Sequence, residues 1–412
     1  MAHTDLIDRQ MITGQVAPAF ENVRREFERN FQQRGETGAA VTVFHRGEKV
    51  VDLWGGYQCL KTRTPWNQQT LSLSFSVTKG MAAAAMAVAH SRGLFHLDGA
   101  VADYWPEFGC RGKDQITVRQ LLDHQAGLIT IDQALDAEIL ADHDRLSAIL
   151  ARQTPQWSPG SKHGYHTVTL GWYQNELIRR VDPQHRSLGA FFQDEIATPL
   201  EVEFYIGLPP SVDPSRVSTI QGFHRVAMLG HLNELPPMMV LAGIWPRSLV
   251  SKSIRALPVN NPAEIGESPY REVEIPSANG IGQSVAIAKI YDVLARGGAE
   301  LGITANTWHE IVAPAVAPHG QTYDAILKLD TNYGFGFSRP SRDFQFGSDS
   351  GSFGCPGAGG SLGIGDPSAQ MGFAYLTNKM GFRIFDDPRE RAVRNACYEC
   401  LAALSPSRRA AA

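Results

Sequence analysis

Phe20, Val23, Phe27 and Phe31 recur at helical spacing, with Glu and Arg between them. This predicts an amphipathic helix over about residues 17–33. Two apolar runs follow, at 39–45 and 49–54, joined by Arg46-Gly47-Glu48. A short glycine-containing link between such runs predicts an antiparallel hairpin. The pattern then changes. After Ser74-Phe75-Ser76-Val77-Thr78-Lys79-Gly80, residues 81–89 are only Met, Ala and Val. Alanine and methionine are strong helix formers, so a helix is predicted to begin near Ser76. It is apolar almost all round, which marks a helix buried in a core. Gly93 to Asp98 reads as its stop and a loop.

From about 105 to 270 the chain is rich in Pro and His and poor in strand alternation. A short helix capped by Thr117 stops near Gly127, and another covers 168–180. Strand signals return late. Tyr333-Gly334-Phe335-Gly336-Phe337 alternates aromatic and glycine and reads as a strand. Runs at 359–365 and 371–377 flank Asp366-Pro367 and predict a second hairpin. Helices are predicted at 285–296 and from Asp387-Pro388 onward. The last carries Val393, Ala396, Cys400 and Leu404 on one face. Strands at both ends with helices between predict an α+β protein with one sheet built from both termini. Residues 1–104 and 271–412 are expected to form an α/β domain, and 105–270 a mostly helical insertion.

The chain has 412 residues, 43% of them hydrophobic and 19% charged, with a net charge of −4. Without a basic block, no nucleic-acid partner is expected. No apolar run reaches the length of a membrane span, so no membrane partner is expected. Met1-Ala2-His3-Thr4-Asp5 opens without the basic and apolar stretches of a secretory signal. The five cysteines, Cys59, Cys110, Cys355, Cys397 and Cys400, are odd in number and scattered. Free thiols and a cytoplasmic location are the expectation. Cys397 and Cys400 read as core thiols one helical turn apart. No His, Asp or Glu cluster has metal spacing, and no metal or other cofactor is expected.

The candidate chemistry sits at the mouth of the apolar helix. Ser76 and Lys79, three residues apart, share one helical face. Burial disfavours the charged lysine, and a neutral amine beside a hydroxyl is a general base beside a nucleophile. The plainer alternative makes Ser76 an N-cap and Lys79 a solvated first-turn residue. Tyr165, in His163-Gly164-Tyr165-His166-Thr167, is a second candidate base or a loop-packing ring. Cys355-Pro356-Gly357-Ala358-Gly359-Gly360-Ser361-Leu362-Gly363 leads into a strand, and its glycines let substrate approach the backbone. Ser361 matches G-x-S-x-G, but that motif needs a helix after it, and here a strand and turn follow. Asn279 is read as a helix cap or a pocket residue, and His124 as a core histidine.

In that order these segments resemble the serine β-lactamase and penicillin-binding-protein superfamily, and within it the class C β-lactamase-like esterases, or family VIII carboxylesterases. The motifs are Ser76-x-x-Lys79, Tyr165 and the glycine segment at 355–363. Residues 50–56, Leu121-Leu122-x-His124-x-x-Gly127-Leu128 and Asn279-Gly280 add to them. The resemblance implies an antiparallel sheet flanked by helices with a helical domain, and a site between them. It implies Ser76 as the acylated nucleophile, with Lys79 and Tyr165 sharing the base role. Backbone N–H groups of Ser76 and Ala358 would form the oxyanion hole. Cys355, Gly357, Gly359, His166 and Asn279 would contact substrate. Two departures stand out. The family's Tyr-x-Asn reads Tyr165-His166-Thr167, and its Lys-Thr-Gly reads Cys355-Pro356-Gly357. Both weaken a β-lactamase and leave an esterase acting on a short-chain or small ester intact. Acyl transfer by the same site, and non-catalytic ligand binding, are the alternatives.

Overall fold

The structure, a computed structural model, describes residues 11–222, 230–257, 259 and 261–404. Its large sheet takes strands from both ends of the chain. The first end gives β1 (Ile12–Val16), β2 (Gly38–His45), β3 (Glu48–Cys59) and the short β4 (Thr64–Pro65). Three short strands, β5 (Ser72–Leu73), β6 (Phe204–Ile206) and β7 (Gly280–Gly282), make a separate sheet in the order β5-β7-β6. The second end gives β8 (Asn332–Gly334), β9 (Phe337–Arg339), β10 (Phe353–Pro356), β11 (Leu362–Asp366) and β12 (Met371–Thr377). The large sheet runs β1-β3-β2-β12-β11-β10-β9-β8, with β4 paired to β3. The two ends of the chain meet where β12 lies antiparallel to β2, with Phe373 opposite Val43.

Seven helices frame the site and the sheet: α1 (Glu21–Gln33), α2 (Val77–Ser91), α3 (Thr169–Val181), α4 (Pro237–Ile244), α5 (Leu249–Ile254), α6 (Ser284–Ala295) and α7 (Pro388–Leu404). On one face Phe27 and Phe31 of α1 join Val393 and Cys397 of α7 against Val41, Val43 and Phe373. On the other face α2 and α6 pack with Phe337, Phe353 and Ala374. Strands covered on both sides need apolar residues at every position, not alternate ones. This is why β2 and β12 read as near-continuous apolar runs. The fold is α+β, an antiparallel sheet flanked by helices.

Every residue of α2 from Val77 to Ala89 is buried. Small side chains let this helix sit in the middle of the larger core. Gly80 carries the closest approach, since a Cβ there would strike the hydroxyl of Tyr291 on α6.

The structure corrects several expectations. Tyr333–Phe337 is not one strand but a hairpin turn between β8 and β9. Phe335 (φ +56°) and Gly336 (φ +80°) are both left-handed, as a two-residue hairpin turn requires. The β2–β3 turn uses Arg46 and Gly47 in the same way. Asn279 does not cap α6, because β7 intervenes and the cap is Gln283. Leu404, at the end of α7, is exposed.

α6 lies so close to the sheet that a Cβ on Gly372 of β12 would meet the Ala288 carbonyl and the Asp292 amide. Backbone cannot yield as a side-chain tip can. Gly372→Ala is therefore expected to cost about 1–3 kcal/mol through overpacking. Equilibrium urea denaturation measures it, and an unchanged midpoint would contradict this account of the helix–sheet contact.

Candidate active site

Phe75, just before Ser76, holds φ at +49°, an uncommon conformation for a bulky residue. This kink turns the chain from β5 into α2. Ser76 becomes the N-cap with φ −66° and ψ −8°, yet its side chain makes no capping bond. The hydroxyl is left for Lys79, whose Nζ lies 3.2 Å from Ser76 Oγ. Lys79 is only 1% exposed. The reading of a plain cap beside a solvated lysine therefore fails.

Lys79 Nζ has two other partners, the carbonyls of Thr167 at 2.6 Å and Ser277 at 3.0 Å. Burial pushes its pKa down to about 7, with a small opposing effect from Cys355. A neutral amine has two hydrogens and one lone pair. The two carbonyls take both hydrogens, and the lone pair is left for the Ser76 O–H. The ammonium form fits the same cage with three donors. The cage thus accepts either end state of a proton transfer.

The Tyr165 ring centroid lies 4.6 Å from Lys79 Nζ, and its hydroxyl bonds to Ser76. Burial pushes the phenol well above its ordinary pKa, and Cys355 adds to the effect. Tyr165 is therefore a phenol, not a phenolate, at neutral pH. Its position is held by Asp324, which accepts from the Tyr165 N–H at 3.0 Å and the Tyr333 hydroxyl at 2.8 Å. Asp324 also accepts from the N–H groups of Ile326 and Leu327. The Tyr333 ring stacks on Tyr165 at 6.2 Å.

Ser76, Tyr165, Ala358 and Gly359 line one cavity of about 290 Å³. Among the described residues, neither the Ser76 nor the Ala358 N–H donates a hydrogen bond. The turn bearing Ala358 is braced at both ends. Gly357 N–H donates to the Ser361 carbonyl at 2.7 Å, and the buried Arg389 donates to the Gly359 carbonyl at 2.7 Å. Ile326, Leu327, Phe344, Met380 and Phe382 make much of the remaining wall apolar.

Four of the residues expected to touch substrate do not reach the cavity. Cys355 lies in β10, where neighbouring side chains point to opposite faces. It is buried, while Pro356 lines the cavity. Gly357 is buried against the Ser74 carbonyl. His166 is fully buried and neutral. Its Nε2 accepts from the Leu128 N–H at 3.1 Å, and burial pushes its pKa down to about 3. Asn279 is fully buried, and its amide ties Ile275 N–H to the carbonyls of Tyr270 and Val273. Ser361 stands between β10 and β11, with a strand and no helix after it, so it has no elbow geometry.

Sequence reasoning missed the Thr167 and Ser277 carbonyls, Asp324, Tyr333 and Arg389. A carbonyl carries no residue signature, so nothing in the composition marks Ser277. Among the described residues no His, Cys, Asp and Glu group is placed to hold a metal, and no helix is long and apolar enough to cross a membrane.

The arrangement has relatives. The family model described as Beta-lactamase matches residues 23–397. The chain is 33% identical over 373 residues to Esterase/beta-lactamase LipL of Mycobacterium tuberculosis (strain ATCC 25618 / H37Rv), spanning 90% of this chain and 83% of LipL. A solved family VIII carboxylesterase superposes with a TM-score of 0.83 at 34% identity, covering 94% of this chain and 99% of its own. A penicillin-binding-protein homologue from Caulobacter crescentus gives 0.79 at 34% identity, with the same coverage. Family match, shared fold and a serine–lysine pair in one cavity lead to one conclusion: the chain belongs to the beta-lactamase family and is a serine hydrolase of that family.

Proposed function

We propose that this protein is a carboxylesterase that cleaves short-chain or small uncharged esters through an acyl-enzyme on Ser76. The observation that carries the reading is the Lys79 cage, with both amine hydrogens on carbonyls and the lone pair left for Ser76 Oγ. Ser76 Oγ attacks the ester carbonyl and Lys79 Nζ takes its proton. The tetrahedral oxyanion sits between the N–H groups of Ser76 and Ala358, which have no other partner among the described residues. Tyr165, a phenol at neutral pH, gives its proton to the departing alkoxide and regains one from the Lys79 ammonium. Water then attacks the acyl-Ser76 ester while Lys79 again takes a proton; the bond to Ser76 Oγ breaks, Ser76 Oγ regains that proton from the Lys79 ammonium, and the acid leaves. General-base help of this kind is worth roughly 10²–10⁴-fold, and each oxyanion donor about 10²–10³-fold.

Ser76→Ala is expected to abolish turnover without changing the melting temperature. An alkyl phosphonate should add once, to Ser76, by peptide mass spectrometry. An adduct on Ser361 would overturn the assignment.

The neutral amine is the active form, so activity rises as Lys79 loses its proton. With the pKa pushed down to about 7, kcat/KM is expected to climb with an apparent midpoint near neutrality. A flat profile, or a midpoint near an ordinary lysine at about 10, would contradict the role of Lys79.

The cavity also bears on β-lactams, whose carboxylate needs a cation. Two arginines are on its wall. Arg339 donates to the carbonyls of Ile311, Gly351 and Ser352. Arg383 lies 3.5 Å from Glu234. Arg339 is committed to backbone carbonyls, and the charge of Arg383 is set against that of Glu234. A lost charge-assisted contact costs about ten- to a hundredfold in binding. A p-nitrophenyl butyrate should therefore outrun a chromogenic cephalosporin in kcat/KM by at least about tenfold. Cys355→Lys should gain nothing on the cephalosporin, because position 355 is buried behind the cavity wall. Wild type preferring the cephalosporin would refute this reading.

A further inference from the structure

Ten large apolar side chains are exposed among the described residues, and six of them lie between Leu232 and Ile254. Met238 is 56% exposed, Leu241 54%, Ile244 70% and Trp245 67%. They belong to α4, Pro-Met-Met-Val-Leu-Ala-Gly-Ile, and the tryptophan after it. A helix apolar all round belongs in a core or against lipid. Yet none of the eight residues of α4 is fully buried. Among the described residues the other four of the ten, Leu60, Val316, Tyr323 and Leu404, do not share one helix.

After Glu234, which pairs with His231 and Arg383, the charges along the patch are of one sign. No Asp or Glu occurs between Glu234 and Glu264, whereas Arg247, Lys252 and Arg255 do, all exposed. This stands out in a chain whose net charge is −4. An apolar face with a tryptophan at its edge and cations alongside is the chemistry of a segment lying in the interface of an anionic bilayer. A second copy fits less well, since two-fold packing would set like charges against each other. The patch is also continuous with the cavity. Met239 of α4 and Ile254 of α5 line it, and the Thr167 hydroxyl bonds to Ser253 of α5 at 2.8 Å.

We propose that the α4–α5 face docks the protein on the surface of an anionic phospholipid bilayer and opens the cavity toward esters dissolved there. This departs from the expectation of no membrane partner, which rested on span length alone. The docking stands on the surface itself, and only its purpose rests on the esterase reading.

The test is co-sedimentation of the full chain with phosphatidylcholine vesicles, with and without phosphatidylglycerol. Wild type is expected to partition onto the phosphatidylglycerol vesicles, and less so as salt rises. Leu241→Glu with Ile244→Glu should weaken partition by at least about tenfold. Arg247→Glu with Lys252→Glu should do the same for anionic vesicles. Both pairs are exposed and off the cavity wall, so turnover of a dissolved short ester should be unchanged. Absent partition, or partition indifferent to phosphatidylglycerol, would overturn the proposal. So would a wild-type dimer in sedimentation velocity that Leu241→Glu with Ile244→Glu makes monomeric. If no short ester is turned over by wild type, the esterase reading fails, while partition, with an unchanged melting temperature as the folding control, still decides the docking.

Discussion

The structure depends on one desolvated amine. Lys79 sits in the first turn of a helix buried from Val77 to Ala89, where a charged group is costly. Three oxygens offset that cost, those of Ser76, Thr167 and Ser277. Each comes from a different part of the chain. Ser76 precedes α2, Thr167 precedes α3 and Ser277 precedes β7. Burial lets the amine lose its charge at neutral pH, and the three oxygens hold it in place in either protonation state. The sheet, α2 and the segment before α3 must therefore close on one point for the chemistry to exist.

Two buried ionic groups keep the other walls of the site in place. Asp324 gathers backbone N–H groups from Tyr165, Ile326 and Leu327, so one carboxylate sets both the tyrosine and the loop beside it. Arg389, paired with Asp387 and Glu36, reaches from α7 to the Gly359 carbonyl and the Lys379 carbonyl. It joins the turn that carries Ala358 to the loop that continues into Phe382 and Arg383. Removing one member of such a cluster strands the others without partners, which is costlier than the loss of a surface pair. The site is thus braced from both chain ends, as the closure of β12 on β2 would lead one to expect.

Much of this was legible in the sequence. The alanine–methionine run could only be a buried helix, and a serine and lysine at its mouth needed a chemical reason. The paired apolar runs near each terminus gave the sheet. What was not legible has a common cause. β10 is four residues long, Phe-Gly-Cys-Pro, too short to show an alternation, and the resemblance to Lys-Thr-Gly alone put Cys355 against substrate. Set in a strand, Cys355 turns toward α2 and its neighbour Pro356 takes the cavity side. Phe335 likewise broke a pattern, since an aromatic at φ +56° is not expected in a turn. His166 and Asn279 were expected at the site because they lie in segments that carry the resemblance. Their polarity instead serves buried backbone groups, which composition alone cannot show.

The central claim is that burial in a carbonyl cage, without a nearby carboxylate, makes Lys79 a base at neutral pH. The most direct measurement is an NMR titration of the lysine side chains, labelled at Cε, with the Lys79 signal assigned by Lys79→Arg. The account predicts a midpoint near 7 for that one signal, with the exposed lysines titrating near their ordinary value of about 10.4. A Lys79 signal that titrates with the exposed lysines would contradict it.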